Sequence, residues 1–146
     1  MDKNRILSLL FLPLSLLLCE IILKLLCLGA LTVRGVILTA MFSIAAGALL
    51  TFLCSLAGRR FRAALIFCAA VISVYFAAHY VYHSIFGAFF SLSSFSGAGD
   101  AIGSFWREAL TGTGRAMPQT LLFFVPLAAA VMLRRRLTAA PARPAK

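Results

Sequence analysis

Four long apolar runs, joined by short basic turns, decide what this chain can become. They are Ile6 to Leu31, Gly35 to Ala57, Ala63 to about Tyr82, and Met117 to Leu133. Inside a bilayer every backbone polar group needs a partner within the protein, so runs of this kind fold as helices. A crossing takes about 20 apolar residues through a core about 30 Å thick. The first three runs have 26, 23 and 20 residues. The fourth has 17, roughly 25 Å of helix, and flanking arginines that snorkel make up the difference.

Composition agrees with this reading. The 146 residues are 62% hydrophobic and 12% charged, against about 45–50% and about 25% in soluble domains. The fold class is therefore all-α: a polytopic membrane protein with four transmembrane helices in one membrane domain, residues 1–137. Residues 138–146 form an Ala/Pro/basic tail without apolar period and read as disordered. The first run exceeds the roughly 7–15 residues of a signal-peptide core, so it is a retained span. Pro13 should bend the first half of that helix, and Pro126 should kink the fourth. Pro118 suits a first helical turn.

The net charge of +10 does not point to nucleic acid. The basic residues cluster at the ends of apolar runs, where they meet headgroups and set topology. An even number of crossings puts Lys3, Arg5, Arg59, Arg60, Arg62, Arg134, Arg135, Arg136, Arg143 and Lys146 on one side. Arg34, Arg107 and Arg115 fall on the other. This bias predicts both termini cytoplasmic, with Tyr82 to Arg115 outside.

Few residues carry chemistry. Cys19, Cys27, Cys54 and Cys68 lie within apolar runs, with no CxxC and no Cys/His spacing for a metal, and read as small apolar fillers. Glu20 and Lys24 sit one turn apart in the first helix, in the favourable acid-before-base order. Charges at this depth need partners, and two roles stay open. One is a structural ion pair facing neighbouring helices, with Lys24 snorkelling outward. The other is a contact to a lipid headgroup or a translocated ion. His79 and His83 share a helix face but lack a third ligand with a motif, and read as interfacial hydrogen-bonding side chains. In the second run Ala45, Ala46, Gly47 and Ala48 allow another helix to approach closely. Tyr75, Tyr80 and Tyr82 suit an aromatic belt.

The segment 84–112 does not span. Its apolar residues recur as pairs spaced by four: Ile85-Phe86, Phe89-Phe90, then Ala101-Ile102, Phe105-Trp106 and Ala109-Leu110. Such spacing predicts short amphipathic helices lying in the outer interface, broken by SLSSFSGAGD and capped by Asp100. A shallow re-entrant hairpin is the alternative. Gly112 to Gly114 then turns the chain back.

The stretch YHSIFGAFFSLSSFSGAGDAIGSFW resembles the extracytoplasmic segment of the lipoteichoic acid synthase family, membrane phosphoglycerol transferases with a sulfatase-like domain. The resemblance rests on the Tyr/His pair before Ile85-Phe86, the run Phe90 to Ser94, and Gly97-Ala98-Gly99 before an aromatic helix. The charged first helix, with Glu20 and Lys24, fits it too. It implies an amino-terminal membrane anchor that helps present phosphatidylglycerol-type lipid. Phe89, Phe90, Trp106, Arg107 and Arg115 would be the lipid-contact residues, with the two arginines near the phosphate. Members of the family continue into a fifth helix and a catalytic domain with a threonine nucleophile and a metal, typically manganese. The sequence in hand carries neither, so no catalytic residue, cofactor or metal site transfers to it. A catalytic-domain partner or continuation is the implied companion. Asp100 stands where a neutral residue such as Gln is the expectation. Two other readings compete: a small four-helix transporter using Glu20, and an accessory subunit that packs against a partner. The long outer segment and the Lys24 partner of Glu20 speak against the transporter.

Overall fold

A computed structural model of the chain describes residues 3–87, 111–114, 116–133 and 137. Every regular element among them is helical. Three helices are long and apolar enough to cross a membrane: Ile6–Leu28, Val33–Leu56 and Gly58–Phe86. They belong to α1 (Lys3–Leu28), α2 (Val33–Leu56) and α3 (Phe61–Phe86), the last preceded by a 3-10 turn at Gly58–Arg60. The protein is membrane-embedded. A shorter apolar helical stretch follows, Ala116–Met132, whose last part is α4 (Val125–Met132).

The boundaries differ from the sequence expectation for local reasons. α1 stops at Leu28 rather than Leu31, because Gly29 adopts φ 67°. That left-handed conformation suits glycine and closes the helix through Gly29 N–H to the Leu25 carbonyl, at 3.1 Å. The turn therefore lies at 29–32, not at Thr32 to Arg34. Thr32 instead caps α2, its hydroxyl accepting from the Gly35 N–H at 3.2 Å, and Arg34 sits exposed in the first turn. α3 runs to Phe86, past Tyr82, so Ser84, Ile85 and Phe86 continue a long helix. Gly87, at φ 64°, ends it.

Pro13 and Pro126 act differently. α1 runs unbroken through Pro13. Near Pro126 the helix changes type: Leu121–Phe124 is 3-10 and α4 begins at Val125. Pro126 has no N–H to offer the Leu122 carbonyl, and the Val125 N–H takes that acceptor instead. Residues 111–114 are helical rather than a turn. Gly112 there packs against α3, since a Cβ on it would meet Ile85 Cγ1 at 2.8 Å.

α1 is the hub, packed against α2 and α3, and the closing stretch packs on α3. Leu12, Cys19, Leu65 and Phe123 are fully buried. Phe123 fills the joint between α1 and α3, stacked on Phe76 with ring centroids 6.4 Å apart and touched by Tyr80 at 5.8 Å. Tyr80 thus turns inward, whereas Tyr75 is exposed.

α2 is polar inside and greasy outside. Its buried residues are Thr39, Ser43, Gly47, Thr51 and Cys54, a stripe of small side chains one turn apart. Phe42, Ile44, Leu49 and Phe52 are exposed, the surface that lipid tails solvate. Lipid tails are as apolar as leucine, so close backbone contact and hydrogen bonds, not hydrophobic sorting, drive the pairing of α1 with α2.

Candidate functional site

The polar centre of the protein lies on the α1–α2 seam. The short turn at 29–32 makes the two helices an antiparallel hairpin. Residues equally far from the turn then face each other, so Lys24 meets Thr39 and Glu20 meets Ser43. One turn separates the members of each pair on their own helix, so both contacts form together.

The hydrogen bonds interlock. Lys24 Nζ lies 3.2 Å from Glu20 Oε1 and also donates to Thr39 Oγ1. Thr39 Oγ1 in turn donates to the Gly35 carbonyl at 2.8 Å. Ser43 Oγ donates to Glu20 Oε2 at 3.0 Å. Both carboxylate oxygens are therefore used, and the lysine joins the two helices. The group is neutral as a whole, which lowers the cost of holding charges at this depth. Lys24 does not snorkel away from the seam; its ammonium turns across to α2 because Thr39 offers an acceptor there. The site is not sealed, with side-chain exposures of 30% for Lys24 and 29% for Glu20.

Of the residues singled out in the sequence, the structure brings Glu20 and Lys24 together. Thr39 and Ser43 were missed. They were legible in principle, because a tight turn fixes the antiparallel register and the i, i+4 spacing of two hydroxyls mirrors that of the two charges. Phe89, Phe90, Trp106, Arg107 and Arg115 lie outside the described residues. His79 sits on α3 with its ring 4.5 Å from that of Tyr75, and His83 stands one turn further on. Among the described residues no three of His, Cys, Asp and Glu cluster as metal ligands. Cys54 of α2 and Cys68 of α3 bring their sulfurs to 3.4 Å.

Compared with known proteins, the chain matches no family model, and neither a curated protein nor a solved structure gives a match.

Proposed function

We propose that this chain is a membrane-anchor module like the amino-terminal part of a lipoteichoic acid synthase-like phosphoglycerol transferase. It has four crossings in the bacterial cytoplasmic membrane, counting the 117–133 stretch, with both termini cytoplasmic. It holds a catalytic domain, as partner or continuation, at the outer face, and manganese chemistry belongs to that domain. Its outer segment meets phosphatidylglycerol-type lipid through Phe89, Phe90, Trp106, Arg107 and Arg115.

The observation that carries this reading is the clasp of Glu20, Lys24, Thr39 and Ser43. Its carboxylate has both oxygens engaged and its charge matched. Such a group welds two helices. A transporter built on Glu20 would need that carboxylate to exchange protons or ligands along a path, and breaking the clasp would oppose it. The accessory-subunit reading keeps one point in its favour. An ion pair with nearly three-tenths of each side chain uncovered is well matched to a partner's helix.

The test is isolation of the chain from its own membranes in mild detergent, followed by an assay of phosphoglycerol transfer from phosphatidylglycerol. The eluate should carry metal-dependent activity, and the chain expressed alone should carry none. An inactive eluate removes the anchor reading. Proton-driven efflux that disappears in Glu20→Gln would install the transporter in its place.

A further inference from the structure

Between α1 and α2 runs an apolar groove of about 490 Å³. Leu9, Pro13 and Leu14 line one wall, and Ala48, Thr51 and Ser55 the other. The two hydroxyls do not face a ligand. Thr51 Oγ1 donates to the Gly47 carbonyl at 2.8 Å, and Ser55 Oγ to the Phe52 carbonyl at 2.6 Å. The groove wall is therefore hydrocarbon in character, although two of its side chains are polar.

Its ends say what fits. Its inner end is at Leu17 and Ile44, about one turn past the contact of Pro13 with Gly47. At the other end α2 finishes at Leu56, and Arg59 and Arg60, both exposed, follow four and five residues after Ser55. In sequence Lys3 and Arg5 precede Leu9 at the same end, against a single acid, Asp2. From Ile44 to Ser55 the α2 wall is about 16 Å long, close to half of a core about 30 Å thick. A groove one leaflet deep is too short for a transmembrane helix, which needs the whole thickness. It matches one lipid tail. A cationic rim at its mouth selects a negative headgroup.

We propose that this groove holds an acyl chain of an anionic phospholipid from the leaflet where α1 begins, with its phosphate on Arg59 and Arg60. The site is separate from the outer segment and does not depend on the anchor reading.

The experiment is native mass spectrometry of the full chain released from nanodiscs of mixed phosphatidylcholine and phosphatidylglycerol. One phosphatidylglycerol should stay with each chain, in preference to phosphatidylcholine. Arg59→Gln with Arg60→Gln, at an exposed turn that leaves the fold intact, should weaken retention about thirtyfold. Ala48→Phe, which fills the groove, should abolish it while circular dichroism shows the helices unchanged. Arg34→Gln, exposed in the first turn of α2 at the end of that helix away from the groove mouth, should leave it as in the wild type. Equal retention of phosphatidylcholine, wild-type retention in both groove variants, loss in the Arg34 variant, or a dimer in place of bound lipid would each overturn the proposal.

Discussion

Gly47 of α2 lies against the backbone of Pro13 of α1: a Cβ placed on Gly47 would come to 2.3 Å from Pro13 Cα. Neither partner has a flexible end that could move aside. Gly47→Ala should force the helices apart and cost about 2 kcal/mol, the usual range for overpacking. Gly114→Ala is the control, since nothing lies within 4 Å of its Cβ position, and it should stay within about 0.5 kcal/mol. Unfolding of the two variants by denaturant in micelles reads the difference. Equal stabilities would mean that α1 and α2 do not cross at this point.

The second prediction concerns Cys54 and Cys68. Their sulfurs are 3.4 Å apart on α2 and α3, and a disulfide needs about 2.05 Å with suitable Cβ geometry. A shift of little more than an ångström closes it. With Cys19 and Cys27 replaced by Ser, a membrane-permeant disulfide such as dipyridyl disulfide should oxidise the pair within one chain, releasing two thiols of the reagent. Mass spectrometry of the peptides should find Cys54 joined to Cys68. A product cross-linked between chains instead would place α2 away from α3.

Much of this was legible in the sequence, and the rest failed for identifiable reasons. The apolar runs gave the helices, because length and hydropathy suffice when water is absent. The ends were less clear. Gly29 stops α1 through a left-handed conformation, although the apolar run continues to Leu31. Gly112 read as a turn residue, but it serves close packing on Ile85, which only tertiary structure reveals. Gly47 lay within the small-residue stretch expected to admit a helix, and it is where α1 arrives. The partners of Glu20 needed a further step. Thr39 and Ser43 look like unremarkable polar residues until the 29–32 turn is taken to set an antiparallel register. Residues 88–110, which include Arg107, lie outside the described residues.

A third prediction follows from the placement of arginine. Single cysteines introduced at Arg59 and at Thr32, in a chain with its four native cysteines replaced, should react with impermeant thiol reagents from opposite sides. In the proposed orientation, which follows the excess of basic residues at the amino-terminus and the 58–62 turn, the Arg59 position lies on the cytoplasmic side. It should be labelled only after the membrane is opened, and Thr32 in intact cells. The reverse pattern would invert the proposed orientation.

The clasp gives the fourth prediction. Removing one partner leaves the other charge uncompensated at membrane depth, so Lys24→Met alone should destabilise by about 3 kcal/mol. Replacing both partners restores neutrality, and Glu20→Gln with Lys24→Met should recover most of that loss. A double variant as unstable as the single one would mean that the hydrogen bonds to Thr39 and Ser43, rather than charge balance, hold the seam.

The same double variant tests the central claim, that the intramembrane charges join helices and do no chemistry. The measurement is phosphoglycerol transfer in the complex isolated with the chain, wild type beside Glu20→Gln/Lys24→Met. The account predicts equal activity, because the anchor remains folded and neutral. A double variant that is folded and membrane-inserted, yet has lost the activity, would contradict it and make Glu20 a functional group.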